Sequence, residues 1–308
     1  MHPAGPVGAN RVLAAALAGC VLGVVLSAAS PARAAADPGA PAARLLAGYA
    51  LSRDGRADNP FRRPLYLTST ESEGGVSGEV YALLEQPFAV VAPALARAAD
   101  WCEILTLHPN TKYCRASGAD PAALDVRIGS KRDVPLDRAN RLAFAYRVTA
   151  RGADFLAVRL DAPDGPFDTR DYRIVLEAAP TPEGRTVVRL AYSYGYGPVG
   201  RLAMQVYLAT AGRGKVGFTI DGRQSDGEPR YVAGIRGVVE RNTLRYGLAI
   251  EAFFRAAALA PTARREQSLR DWFAATERHP RQLHEMDLGE YLALKRREYA
   301  RQQEGPGQ

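Results

Sequence analysis

The sequence has 308 residues, 47% of them hydrophobic, and carries 40 Lys and Arg against 33 Asp and Glu, a net charge of +7. That length and apolar share are ample for a buried core, as one large domain or two small ones. The basic residues are spread along the chain among acidic ones, so the excess reads as solvated surface with a weak preference for anionic membranes; a nucleic-acid partner is excluded.

Residues 1–34 read as a cleaved export signal. Arg11 is the only charge before the apolar run 12–26, small residues follow, and Ala32-Arg33-Ala34 has the A-x-A cleavage form. Broken by Gly19 and Gly23, the run is shorter than the roughly twenty residues a permanent span needs. Leu17-Ala18-Gly19-Cys20 offers an alternative, lipidation at Cys20, but Val21, Leu22 and Val24 prolong the hydrophobic segment where a lipoprotein would turn polar. The expected location is periplasmic or secreted after cleavage near Ala34, and loss of Arg11 and Arg33 lowers the net charge from +7 to +5.

Residues 35–63, rich in Ala, Pro, Gly and Arg, read as a linker or loosely ordered lead-in. A strand at 65–67, a Glu-Ser-Glu-Gly-Gly turn and an alternating strand at 76–84 follow, then a helix at 87–100 that Pro93 should kink. Cys102 and Cys114 flank a Pro109-Asn110 turn signal. In an oxidising compartment an even pair this close is most simply a disulfide, with two buried free thiols as the alternative.

Five strands follow, at 124–130, 141–149, 155–160, 172–178 and 186–196, bounded by Gly, Pro or Asp turn signals, and they imply an antiparallel meander. Residues 198–211 alternate as a strand would but have helix-forming composition, and the balance leans to helix. A last strand is expected at 215–220. The clearest helix, 231–259, carries the apolar stripe Val232, Ile235, Val239, Thr243, Tyr246, Ile250, Phe253 and must cover something large. Two charged helices at 264–278 and 288–303 form a C-terminal extension, 261–308, to a main domain spanning 64–260. A curved meander gripping a long helix leaves, if it closes loosely, an apolar cavity between the two.

In this order of elements the sequence resembles the START-like helix-grip superfamily, which includes lipid-transfer domains and polyketide cyclases. The resemblance covers roughly residues 76–259 and is carried by the opening strand Gly78-Glu79-Val80-Tyr81-Ala82 leading to Pro87-Phe88, the ladder ending in Ala191-Tyr192-Ser193-Tyr194, and the helix segment Arg241-Asn242-Thr243-Leu244-Arg245-Tyr246. It implies an α+β fold, a curved antiparallel sheet gripping a long C-terminal helix with extra helices after it. It further implies a lipid, sterol or other apolar ligand between sheet and helix.

Tyr192, Tyr194 and Tyr196 have period two, so their rings share a face; they suit a cavity wall or an ordinary aromatic ladder. Trp101, His108, Asn110 and Lys112 surround the cysteine pair at the expected cavity mouth, where His108 with Glu103 offers acid–base chemistry or the loop is merely structural. On the long helix, Val239 and Tyr246 belong to the apolar stripe, and Asn242 beside it could bond a head group or the sheet edge. His279, His284, Glu285 and Asp287 invite a metal, but Pro280 breaks the helical spacing such ligands want, and no metal or cofactor is expected. The candidate ligand-binding set is therefore Trp101, His108, Tyr192, Tyr194, Tyr196, Val239, Asn242 and Tyr246. Three functions stay open: a carrier of an apolar, lipid-like small molecule with transient membrane contact, an enzyme on the same fold, and an interaction module using Trp272 and Phe273.

Overall fold

The computed structural model describes residues 39–54, 61, 63–118, 122–210 and 212–304. Residues Asp37–Gln308 form one compact unit. The segment read as an export signal, with Cys20 and the expected cleavage point at Ala34, lies outside the described residues, and every described helix and strand falls within Asp37–Gln308.

Helix α1 (Gly39–Asp54) precedes a hairpin of β1 (Leu65–Ser72) and β2 (Gly75–Leu84). Helices α2 (Phe88–Leu95) and α3 (Ala98–Leu105) then carry the chain to the far edge of the sheet. From there a meander runs back through β3 (Thr111–Ser117), β4 (Ala122–Ile128), β5 (Asn140–Arg151), β6 (Leu156–Asp164), β7 (Thr169–Pro180) and β8 (Thr186–Tyr196). It ends beside β2, giving one eight-stranded sheet of order β1-β2-β8-β7-β6-β5-β4-β3 in which every neighbouring pair is antiparallel. Helix α4 (Pro198–Ala209), a two-stranded ribbon of β9 (Ile220–Arg223) and β10 (Pro229–Tyr231), and the long α5 (Gly234–Arg255) come next. Helices α6 (Pro261–Thr276), α7 (Pro280–Leu283) and α8 (Leu288–Glu304) complete it.

The period-two pattern of the strands decides which face is filled. Along β8, Val188, Leu190, Tyr192, Tyr194 and Tyr196 are buried on one face while Arg189, Ala191 and Ser193 keep part of their surface. The inner face meets α5 most closely where one backbone or the other is bare. A Cβ on Gly78 would run into Thr243 Oγ1, and one on Gly247 would stand 3.0 Å from Val80 Cγ1. The sheet and late helix form an α+β helix-grip architecture, a curved antiparallel sheet packed on a long late helix, as the order of elements leads one to expect.

Several expectations are corrected. Residues 39–54, read as lead-in, form α1, which lays Ala42 and Leu45 on Phe155, Ala157, Ala179 and Val187, the sheet face turned away from α5. The single helix expected at 87–100 is two, because Arg97 takes an extended ψ of 120°. The C-terminal carbonyl this break leaves on α2, Leu95 O, accepts from Trp101 Nε1 (2.8 Å) and Tyr146 Oη (2.7 Å). Strand β3 lies in what reads as a cysteine loop. The strand expected at 215–220 is not formed over 215–219: the amides of Phe218 and Thr219 donate to the Glu240 carboxylate (2.5 and 2.9 Å), and, among the described residues, only Val232 is met by backbone bonds to another segment, from Gly217 N and to Thr219 O. Trp272, expected on a partner-binding surface, is 3% exposed; it stacks on Tyr291 at 5.2 Å and donates to Arg245 O.

Candidate functional site

The inner face of β7 and β8 and the facing turn of α5 bring most of the candidate residues together. Tyr172 of β7 stacks on Tyr194 at 5.3 Å, Tyr192 lies 5.7 Å from Tyr194, and Tyr246 of α5 meets Tyr192 edge-on at 5.9 Å. The His108 imidazole, from the turn after α3, is 5.1 Å from the Tyr246 ring. Asn242 sits one turn before Tyr246, and both remain half-buried although Thr243, Leu244, Arg245 and Gly247 around them are buried. Tyr196 stands at the rim, its hydroxyl donating to Ser72 O at 3.3 Å and its ring beneath the Arg201 guanidinium of α4. Tyr172 is absent from the sequence-based set, although the alternation Tyr172, Ile174, Leu176 puts it on this face.

Two candidates do not join them. Trp101 is core, held by the Leu95 carbonyl and packed edge-on to Tyr146. Val239 is fully buried within the hydrophobic core cluster.

The chemistry of this place is that of donors kept neutral. Burial holds the phenols of Tyr192, Tyr194 and Tyr246 far above 10, so they stay protonated. Burial, reinforced by Arg245, Lys131 and Lys295, pushes His108 well below 6.5 and leaves it uncharged at neutral pH. Its Nδ1 accepts the Asn110 amide at 3.1 Å, so the ring proton belongs on Nε2. That Nε2 has no hydrogen-bond partner, and His108 is only 2% exposed. The Asn242 amide favours the charged imidazole without completing a bond to Nε2.

Next to His108 a cluster of cations gathers around one acid. Glu285 Oε1 is 2.5 Å from Lys131 Nζ, 2.5 Å from Arg245 Nη2 and 3.4 Å from Lys215 Nζ. Burial alone would raise the Glu285 carboxyl; Arg245, Lys131 and Lys215 together outweigh it and hold the group below the usual range. Burial, then Arg245, pushes Lys131 down to about 7, against the opposing pull of Glu285. These residues come from four separate places, the β4–β5 connection, the segment after α4, the middle of α5 and the turn after α7, so no local spacing announces them.

A second buried charge cluster fastens α8 to the turn before β3. Lys112 Nζ donates to Pro109 O and Glu298 Oε1, both at 2.8 Å, and Lys295 Nζ donates to Glu298 Oε2 (2.6 Å), Thr111 O (2.9 Å) and His108 O (3.2 Å). Beside it a cleft of about 620 Å³ runs between α3, β3, α6 and α8. Its wall includes the Cys102–Cys114 disulfide, which ties α3 to β3 with a Cα separation of 5.2 Å. The cleft is lined by Arg115, Arg265, Glu298 and Gln302 as well as Phe253 and Leu269, and by none of the eight candidate ligand-binding residues. This mixed lining differs from the apolar hollow expected between sheet and long helix.

Among the described residues no group of three or more His, Cys, Asp or Glu side chains could hold a metal ion. His279 is edge-on to the rings of Phe61 and Phe218, and His284 pairs with Glu277.

No family model matches the sequence, and no curated protein matches it. Among solved structures the chain is similar to the Zhui aromatase/cyclase from Streptomyces sp. R1128, at 13% identity over 67% of this chain and 95% of that one, with a TM-score of 0.35. It is similar also to human StAR-related lipid transfer protein 5 (9% identity, 56% and 90% covered, TM-score 0.31) and to truncated norcoclaurine synthase from Thalictrum flavum (10%, 46% and 89%, TM-score 0.32). The fold assignment rests on strand order and the packing of α5 in the chain itself.

Proposed function

We propose that this chain is an extracytoplasmic binding protein for a lipid-like small molecule, held against the aromatic face formed by Tyr172, Tyr192, Tyr194 and Tyr246. The observation that carries the reading is His108: a neutral imidazole whose Nε2–H is buried without an acceptor, walled by aromatic rings and beside the incompletely covered Asn242. A buried donor left unpaired among apolar surface is what a site looks like when one polar group of a ligand supplies the missing acceptor. Location outside the cytoplasm is supported by the export-type residues 1–34 and by the disulfide. The outward row Val199, Leu202 and Val206 on α4, with Phe167 beside it, supports transient contact with a lipid surface during loading.

The 620 Å³ cleft favours a second reading, in which a polar solute binds between α3 and α8. One experiment separates them. Small molecules extracted from natively purified protein are identified by mass spectrometry, then added back while amide exchange is followed. A recurrent lipid species that protects residues 192–194 and 242–246 supports the first reading. A polar species protecting 295–303 supports the second, and protein that carries nothing and shows no protection overturns both.

A further inference from the structure

We infer that the cationic nest of Arg241, Arg245, Lys131 and Lys215 receives an anionic group of the ligand, a carboxylate or a phosphate monoester. This rests on the reading that a ligand sits against His108 and Tyr246. Within the nest a single oxygen of Glu285 takes three cations, Lys131, Arg245 and Lys215, and Arg241 lies beside Arg245 and Lys215. Arg245 spends Nη2 on Glu285 and on Leu283 O, while its Nε has no partner; Arg241 donates through Nη1 to Val216 O at 3.2 Å, while its Nη2 has none. Both residues are 1% exposed, so these are buried donors, and water does not serve them at an open surface.

Neighbouring acids are committed elsewhere. Glu240, next to Arg241 on α5, accepts from Ser69, Phe218 and Thr219; Glu277 pairs with His284; and Asp287 accepts the Glu290 amide at the start of α8. Glu285 is therefore the one carboxylate paired with these cations among the described residues, and an incoming anion would relieve their mutual repulsion. Guanidinium donors suit a planar carboxylate or a phosphate, and the two orphaned nitrogens supply two such donors. Asn110, two residues after His108, donates through Nδ2 to Gly129 O at 2.7 Å, close to Lys131 in sequence, and Arg245 directly precedes Tyr246 on α5, so the nest adjoins the aromatic face. An oxyanion at the nest would leave an apolar body lying along Tyr246, Tyr192 and Tyr194.

The test titrates the purified protein with dodecanoate, dodecyl phosphate and dodecanol below their micelle-forming concentrations, by calorimetry. An oxyanion is expected to bind about tenfold or more tightly than the alcohol, and the tighter of the two acids tells carboxylate from phosphate. Lys131→Met, at a side chain that is 20% exposed, should remove most of that advantage without weakening dodecanol. Arg245→Met should do so more completely, with circular dichroism confirming that it folds. Equal affinity for the acids and the alcohol overturns the inference and leaves the binding reading standing, whereas no binding of any probe overturns both.

Discussion

The two buried charge clusters of this protein are made of the same kinds of residue and differ in how far their hydrogen bonds are completed. In the Lys112–Glu298–Lys295 cluster each ammonium is matched by a carboxylate oxygen and by one or two backbone carbonyls. In both clusters cations outnumber the acid, but around Glu285 guanidinium nitrogens of Arg241 and Arg245 are left over. A completed buried network fixes a geometry; an incomplete one is tolerated when something else completes it. The first cluster therefore reads as a fastening for α8, and the second as a place kept open for a ligand.

The strongest way to break this comparison is to remove the acid from the completed cluster and a cation from the incomplete one. Glu298→Ala leaves two ammonium groups buried without a carboxylate and should cost about 3 to 5 kcal/mol in urea unfolding. Arg241→Met, which removes an orphaned charge and one bond to Val216 O, should change stability by no more than about 1 kcal/mol. Equal losses in the two variants would show that completion of the network does not separate fastening from binding.

Next in size is the disulfide, which works on the same side as the fastening cluster by joining α3 to β3. Replacing Cys102 and Cys114 together by Ser should cost about 2 to 3 kcal/mol, given the short loop it closes, and lower the melting temperature. The apparent acid-over-alcohol preference at the nest should stay unchanged. A disulfide variant that melts with the parent protein would mean that Lys112, Glu298 and Lys295 hold this edge of the fold by themselves.

How much of this is legible in the sequence depends on the range over which each signal acts. The shared face of Tyr192, Tyr194 and Tyr196 is readable because period two is a property of one short stretch of strand, and Asn242 and Tyr246 because they lie one helical turn apart, the first beside a strong stripe and the second on it. The cysteine pair is readable from its spacing together with the export that the first residues lead one to expect. Trp101 is misplaced because its aromatic character looks the same in a cavity wall and in a core, and only the break at Arg97, which frees the Leu95 carbonyl, decides between them. The nest is out of reach, since Lys131, Lys215, Arg245 and Glu285 are remote in sequence and each alone reads as solvated surface. The one available hint is Arg241 and Arg245 within the long apolar helix, where an exposed charge would have no room.

The smallest expected effect is electrostatic and probes whether the nest holds Lys131 against its own charge. In the folded protein burial and Arg245 hold Lys131 at about 7, against 10.5 for a free lysine. Between those values the unfolded chain keeps a proton that the folded chain has released, so this group makes stability rise with pH from about 7 towards 10.5 and withdraws that contribution as pH falls through 7. Lys215, also pushed down by burial, acts in the same sense in parent and variant alike. The unfolding free energy of the parent minus that of Lys131→Met should therefore rise between pH 7 and pH 9, by a fraction of the roughly 1.4 kcal/mol per pH unit that one full proton would give. Urea unfolding at pH 7, 8 and 9 measures it. Parallel stability curves would mean that Glu285 satisfies Lys131 completely, and the contrast with the Lys112–Glu298–Lys295 cluster would then rest on the two arginines alone.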